Sequence, residues 1–227
     1  MNPEFSTGRA GGLTRRRLLG LGIATVSLFA AGAVVPGLGP VSHAQASTEV
    51  AQQIANHFSS VRTMMGEFVQ FGPRGEQTGG KFFIERPGKL RFVYEAPADF
   101  QVVSDGNSVV MENKRLNTAD LYQLSTTPLK LILDDRIDLS GNRVRSVRQE
   151  NDLTTVEIAD SSMFGNSTIT MMFDPQSYDL RQWTITDAQG RDTTVMIFNV
   201  EQGVAFDPSV FTIDYRRVHS QNQQQRP

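Results

Sequence analysis

The sequence of 227 residues contains no cysteine, and this absence excludes several kinds of chemistry. Without thiols the chain cannot form disulfides, use a thiolate nucleophile or bind a metal through cysteine. It also has no cysteine that could carry a lipid anchor. A domain of this length buries about 70% of its unfolded surface, so it needs no covalent crosslinks.

Histidine is scarce, with three in the chain: His43, His57 and His219. None lies among the predicted strands, which argues against a Ser-His-Asp triad and against a histidine-rich metal site. The acidic stretch 134–138 lacks the spacing and the final Glu of an EF-hand. No metal and no cofactor is therefore predicted. A carboxylate pair for glycoside chemistry stays open, because the fold sets its separation.

Runs of basic residues are absent beyond the N-terminal region. Residues 1–46 hold four of the 22 basic residues and one of the 24 acidic ones, which leaves the rest of the chain with a net charge of −5. A mildly acidic domain without a basic run is a poor candidate for binding nucleic acid or an anionic membrane surface.

The N-terminal region has the pattern of an export signal. Residues 14–19, TRRRLL, fit the twin-arginine pattern, and residues 18–35 are apolar but rich in Gly and Ala. Ala44-Gln45-Ala46 is a small-x-small cleavage site. Eighteen apolar residues could just span a bilayer, but this composition makes a weak anchor. The sequence predicts a signal peptide over residues 1–46, cleaved after export to the periplasm.

The remaining chain is predicted as one mainly β domain, residues 47–219, with a disordered Gln-rich tail over 220–227. Apolar residues at helical spacing predict an amphipathic helix over 47–65, ended by Gly66. Eleven runs of β-forming residues follow, separated by tight turns: 67–71, 78–85, 89–95, 99–104, 107–112, 115–124, 143–149, 153–159, 167–174, 179–187 and 192–200. Strands joined so tightly are antiparallel neighbours, and a sheet of this size curls towards a barrel.

Two segments break the β pattern. Residues 128–133, PLKLIL, predict a short apolar helical turn with Pro at its start. Residues 160–165 form a loop that carries two large apolar residues, Met163 and Phe164. The helical turn and the first helix would be the only elements available to cover one face of the sheet.

Most large apolar residues of the strands lie on one alternating face. Leu90, Phe92 and Tyr94, for example, alternate with Lys89, Arg91 and Glu95. For any one of them, a packed core is the simplest interpretation. A curled sheet of eleven strands, however, encloses more volume than side chains readily fill, which leaves room for a ligand. The residues concerned are Phe68, Phe82, Ile84, Leu90, Phe92, Tyr94, Val102, Met111, Leu124, Ile169, Met171, Trp183 and Ile185.

Arg86 is the charged residue with two competing interpretations. It could be an ordinary exposed arginine of the turn Arg86-Pro87-Gly88. Alternatively, its five donors could hold carbonyl groups that are otherwise unpaired at the ends of the covering helices. The spacing alone favours neither.

The order of these elements resembles the periplasmic lipoprotein carrier family, LolA. The resemblance covers essentially the whole chain after residue 46. An amphipathic helix comes first, and four motifs follow it: GEFVQ at 66–70, GKFFIERPGKLRF at 80–92, VSDG at 103–106 and TPLKLIL at 127–133.

The resemblance implies an unclosed antiparallel β-barrel of eleven strands, with a lid of short α-helices over a hydrophobic cavity. Family members are not enzymes. They receive lipoproteins, by their acyl chains, from an inner-membrane ABC lipoprotein-release complex and pass them to an outer-membrane lipoprotein receptor. A monomer is expected. The implied lid latch is Arg86, the lid residues are Ile54, Phe58, Leu129 and Ile132, and the acyl-chain cavity is Phe68, Phe82, Ile84, Leu90, Phe92, Tyr94 and Trp183.

Three features depart from the family pattern. The signal is of the twin-arginine type, Phe83 and Phe92 stand where tryptophans are usual, and the C-terminus lacks a long extra strand. Other functions also stay open: a periplasmic carrier of a glycolipid, hopanoid or quinone, or a structural or sensor domain with a filled core. A small β-domain hydrolase would need an acid–base pair inside the cavity.

Overall fold

The computed structural model describes residues 43–136, 144–160 and 167–224. Its eleven strands form one antiparallel sheet in the order β6-β5-β4-β3-β2-β1-β11-β10-β9-β8-β7. The strands are β1 Thr63–Phe71, β2 Gln77–Glu85, β3 Lys89–Tyr94, β4 Phe100–Asp105, β5 Ser108–Asn113, β6 Thr118–Gln123, β7 Val144–Gln149, β8 Thr154–Asp160, β9 Ser167–Phe173, β10 Leu180–Thr186 and β11 Asp192–Gln202.

The sheet is not closed. The pairing of β1 with β11 joins the two halves of the chain at its centre, and β6 and β7 form its two edges. All eleven predicted strands are present. The largest differences in their starting points are at β1, which begins at Thr63 rather than 67, and at β6, which begins at Thr118 rather than 115. The predicted fold class, mainly β with an unclosed antiparallel sheet, is confirmed.

The described residues also form three α-helices: α1 His43–Ser60, α2 Leu129–Leu133 and α3 Tyr215–Gln224. Short 3-10 turns cover Leu124–Thr126 and Pro208–Phe211. The helix α1 includes the predicted cleavage site after Ala46. Cleavage at that site stays a prediction. Within the described ranges, no helix is both long and apolar enough to cross a membrane.

The predicted end of the first helix is wrong. The helix ends at Ser60, and Met64, Met65 and Gly66 belong to β1. Apolar side chains at this point fit both a helical and an alternating period, so the pattern did not separate them. Gly66 serves a different purpose in the strand: a Cβ there would lie 2.8 Å from the carbonyl oxygen of Phe198, so only glycine allows this close approach.

The main core lies on the inner face of the sheet, beneath α1 and α2, and includes Ile54, Phe68, Leu90 and Trp183. On the outer face a second, smaller cluster joins Val103, Val110 and Ala119 to Ile213 and Val218 of the C-terminal segment.

The C-terminal segment is held to the outer face by polar contacts as well. Arg217 forms an ion pair with Glu112, and Gln221 donates to Asn117. The predicted disorder of the tail is therefore wrong for residues 220–224, which belong to α3. Residues 225–227 lie outside the described residues, as do residues 1–42 of the predicted signal peptide, most of the loop 160–165 with Met163 and Phe164, and Ile137 and Asp138.

Candidate functional site: an apolar cavity beneath two helices

The buried side chain of Arg86 joins both covering helices to the sheet. Arg86 follows β2 and is 3% exposed. Its Nη1 donates to the carbonyl oxygen of Val61, just after α1, at 2.6 Å, and its Nε donates to that of Ile132 in α2 at 3.2 Å. The guanidinium carbon lies 3.8 Å from the centre of the Phe58 ring. One side chain thus fixes the end of α1 and the end of α2.

The backbone of the β2–β3 turn completes these contacts. The amide of Arg86 donates to the carbonyl of Arg62 at 2.7 Å, and the amide of Gly88 donates to that of Leu133 at 2.8 Å. Gly88 has a φ of +80°, a backbone conformation that residues other than glycine rarely adopt. The last carbonyls of a helix have no partner within it. In this turn Arg86 and Gly88 donate to the last two carbonyls of α2, those of Ile132 and Leu133.

The electrostatic environment of Arg86 is unfavourable to its charge. Burial, with a smaller contribution from the nearby Arg62 cation, lowers the pKa of Arg86 to about 10, so it is still charged at neutral pH. Within the described residues it forms no ion pair with a carboxylate, and its Nη2 has no hydrogen-bond partner. Carbonyl groups and one aromatic ring alone therefore compensate a cation withdrawn from water.

A second set of contacts fastens α1 to the start of β10. His57 lies 2.9 Å from the Asp179 carboxylate, which also accepts from Gln202 at 2.8 Å. The Tyr178 hydroxyl donates to Gln53 of α1 at 2.6 Å. Burial acts to raise the pKa of Asp179, but its hydrogen bonds, led by that from His57, outweigh burial and hold the pKa below its ordinary value.

An apolar cavity of about 510 Å³ lies at the opposite end of the inner face. Tyr94 ends β3, Phe100 begins β4, and Leu129 of α2 covers the space between them and β10. The lining residues are Gln70, Phe92, Tyr94, Phe100, Val102, Met111, Tyr122, Thr126, Thr127, Pro128, Leu129, Trp183, Ile185, Thr193 and Val195. This lining contains no Asp, Glu, His, Lys or Arg among the described residues, so it offers no acid–base pair for hydrolysis.

The predicted cavity residues fall into two groups. Phe92, Tyr94 and Trp183 line the cavity. The other four, Phe68, Phe82, Ile84 and Leu90, are packed in the core and at most 1% exposed. Phe68 and Phe92 make an edge-to-face contact at 4.6 Å between ring centres, so the first group rests on the second. The four form the floor beneath the cavity. Contact between them and a ligand stays a prediction.

The predicted lid residues also differ among themselves. Leu129 lines the cavity, whereas Ile54, Phe58 and Ile132 are buried against the core. Phe58 packs edge-to-face on Phe173 at 6.2 Å and carries the Arg86 guanidinium on its ring. The two helices therefore do cover the inner face. Their opening and closing is a prediction.

Sequence reasoning missed several lining residues, among them Phe100, Tyr122, Val195 and Gln70. Alternation identifies the face on which a side chain lies, but the position along the strand decides whether that side chain meets a helix or open space. The sequence of a strand does not show where along its length a helix will cross it. The contact of His57 with Asp179 was missed because 122 residues separate the two in sequence.

Comparison with known proteins points to one family. The family model described as "Outer membrane lipoprotein carrier protein LolA" matches residues 59–214. The chain is 25% identical over 177 residues to an outer-membrane lipoprotein carrier protein of Methylococcus capsulatus, covering 74% of this chain and 84% of that protein. It is 27% identical over 183 residues to one of Chromohalobacter salexigens, covering 75% and 85%. A LolA superfamily protein from Nitrosomonas europaea overlays on 73% of this chain and 98% of its own, with 9% identity and a TM-score of 0.43.

Proposed function

From the premise that this chain belongs to the LolA family of outer membrane lipoprotein carrier proteins, we propose that it carries lipoproteins by enclosing their acyl chains. The cavity of about 510 Å³, apolar and covered by α2, is the observation that supports this function best. Burial of each methylene group contributes about 0.8 kcal/mol, so an acyl chain can be held without any polar chemistry. The chain then acts as a binding protein and not as an enzyme.

The proposed route runs across the periplasm. The twin-arginine signal delivers the chain there, where it receives lipoproteins from an inner-membrane ABC lipoprotein-release complex. It then passes them, as a monomer, to an outer-membrane lipoprotein receptor. Membership of the family supports this direction, and the absence of a basic run fits a carrier that does not remain on an anionic membrane.

The lid supplies the proposed means of loading and release. Arg86 holds α1 and α2 closed, but its cation is desolvated and unpaired with a carboxylate. Opening the lid would break the hydrogen bonds from Arg86 to the carbonyls of Val61 and Ile132, but it would return the guanidinium to water. The regained hydration offsets part of the free energy of the lost hydrogen bonds. The closed and open forms would therefore differ by a modest free energy, and a bound acyl chain or a partner protein could shift their populations.

Mass spectrometry of the material that copurifies with the chain from the periplasm tests the cargo. We expect lipoproteins with their acyl chains attached. A glycolipid, a hopanoid or a quinone as the sole bound species would contradict lipoprotein carriage while retaining lipid carriage. If the purified protein carries no lipid and its side chains fill the cavity, a structural domain would be favoured.

A matched pair of methionines tests whether the cavity holds the cargo. Met111 lines the cavity and is 37% exposed, whereas Met196 lies on the outward-facing side of β11 and is 44% exposed. Met111→Glu places a carboxylate among apolar lining residues and should remove most of the copurifying lipid. Met196→Glu makes the same change outside and should leave the load unchanged. Equal loss in both variants would show that the cargo does not bind in this cavity.

A further inference from the structure

A polar pair interrupts the apolar lining of the cavity. The hydroxyl of Tyr94 donates to Oε1 of Gln70 at 2.7 Å. The two side chains come from β3 and β1, on either side of β2, where Gly80 stands opposite Tyr94. A Cβ at Gly80 would lie 2.0 Å from the carbonyl oxygen of Val93, so this position admits only glycine. The absent side chain leaves room on the inner face beside Tyr94, while Gln70 stands opposite Thr78 of β2.

The pair has more donors than it uses. A tyrosine hydroxyl carries one hydrogen and a glutamine amide carries two, and a single hydrogen bond joins them. If the amide were turned the other way, its nitrogen would donate to the tyrosine oxygen, and two hydrogens would again be left over. Neither side chain makes another hydrogen bond within the described residues. Burial raises the pKa of Tyr94, so its hydroxyl keeps its proton.

Both side chains line the cavity, so a ligand there lies within reach of their spare donors. In the empty protein they can donate to water. A ligand that fills the cavity displaces that water, and a donor left without a partner costs about 1–3 kcal/mol. Pure hydrocarbon at this point therefore incurs a penalty, whereas a hydrogen-bond acceptor avoids it. The simplest such acceptor on a lipid is the carbonyl oxygen of an ester or an amide.

The position of the pair fits the head of an acyl chain. Gln70 and Tyr94 stand at the ends of β1 and β3, at the cavity end of the sheet, while Phe68 and Phe92 lie two residues deeper on the same strands and contact each other. Hydrocarbon directed inward would meet aromatic side chains. Carbonyl groups at the head of the chain would then lie beside the amide and the hydroxyl.

We propose that the Gln70–Tyr94 pair is a donor site for the ester or amide carbonyl groups at the head of the cargo's acyl chains, and that it sets the direction in which a chain enters. This assignment rests on the proposed function as a lipid carrier. It adds a polar criterion for selection that hydrophobic burial does not supply. The cargo class it favours is acylated, as opposed to wholly hydrocarbon or ether-linked.

The test compares two ligands of equal chain length: an ester-linked diacylglycerol and its ether-linked analogue, which lacks the carbonyl oxygens. Binding to the delipidated full chain is measured by competition with a fluorescent fatty acid. The wild type should prefer the ester by about fivefold, the ratio expected from one net hydrogen bond. Gln70→Met preserves the side-chain volume and should bring the ratio close to one, because it removes the donors that favour the ester and penalise the ether. Gln182→Met makes the same substitution on the outward-facing side of β10 and should keep the wild-type ratio.

A second variant guards against misfolding of the first. Tyr94→Phe removes one hydroxyl and leaves the amide without its fixed partner, so an intermediate ratio is expected. A wild-type ratio in Gln70→Met or in Tyr94→Phe, or no ester preference in the wild type, would overturn the donor site and leave the carrier function standing. Failure of the wild type to bind either ligand would overturn the carrier function and this assignment with it.

Discussion

The two ends of the inner face are built from similar apolar residues but are closed in different ways. At one end, Arg86 and the β2–β3 turn pair with the carbonyls of both helices over a packed core. At the other, α2 only covers the space between the ends of β3, β4 and β10, and a cavity of about 510 Å³ is left. Ile84 and Leu90 pack next to the first end, whereas Phe92 and Phe100 line the second.

The two ends therefore differ in how the helices are attached and in the chemistry of the space beside them. The pocket next to Arg86 has His57, Asp179 and Gln202 in its lining, whereas the larger cavity under α2 is apolar. Truncating a side chain in a packed core lowers the free energy of unfolding, because it leaves a new void. Truncating a side chain that lines an existing cavity has a smaller effect. The closed end, named here the latch end, should therefore govern stability. The cavity end should govern binding. The following changes are designed to test that separation.

The largest effect is expected from truncation in the packed core. Leu90→Ala removes a side chain that is 0% exposed and should lower the free energy of unfolding by about 2–5 kcal/mol. Met111→Ala, on a cavity-lining side chain, should change it by no more than about 0.5 kcal/mol. Urea denaturation measures both. Equal losses would show that the two ends are packed alike.

An intermediate effect is expected from removal of the latch. Arg86→Leu leaves the carbonyls of Val61 and Ile132 without their donor, at a cost of about 1–3 kcal/mol each, offset in part by loss of the buried charge. Hydrogen exchange in α2 should become faster, and more of the purified carrier should retain its lipid. Wild-type exchange, loading and release in this variant would remove Arg86 from the mechanism.

Arg86→Lys serves as the control for charge. Lysine keeps the cation, but a single ammonium group lacks the planar fork that reaches two carbonyls at once. We expect exchange in α2 to resemble that of Arg86→Leu. If Arg86→Lys behaves as the wild type, the charge itself, and not the bridging geometry, holds the lid.

The smallest effect is expected at the second attachment of α1. Asp179→Asn weakens the contact with His57, which is partly exposed and worth at most about 1 kcal/mol. The folded-state pKa of Asp179 is lowered, so the carboxylate stabilises the fold above its ordinary pKa of about 3.9. That contribution is lost as the pH falls through the lower, folded-state value.

Denaturation of the wild type and of Asp179→Asn at several pH values measures this contribution. The difference between the two should be present at neutral pH and disappear in acid. A difference that grows as the pH falls would show that the carboxylate does not stabilise the closed form.

Much of the fold follows from local pattern. Alternation and turn residues placed all eleven strands, and Pro128 with the apolar residues after it placed α2. The failures occurred where two periods coincide, as at Met64 and Met65, or where tertiary contacts outweigh composition. The Gln-rich residues 220–224 suggested disorder, but they continue α3, where Gln221 is buried and donates to Asn117.

The site was less predictable than the fold. The family resemblance pointed to Arg86, and its hydrogen bonds fit a latch. The seven predicted cavity residues were all on the inner face, yet the sequence could not tell the packed floor from the open lining. That division depends on where the helices cross the sheet. The Gln70–Tyr94 contact was missed because it forms across an intervening strand.

Photocrosslinking tests the separation of the two ends most directly. A triacylated lipopeptide whose acyl chains end in a diazirine is bound to the full chain and irradiated, and mass spectrometry locates the attached residues. We expect attachment to the cavity lining, at residues such as Phe92, Val102 and Met111. Attachment chiefly to Val61, Leu180 and Val200, which line a separate pocket beside Arg86, would contradict it.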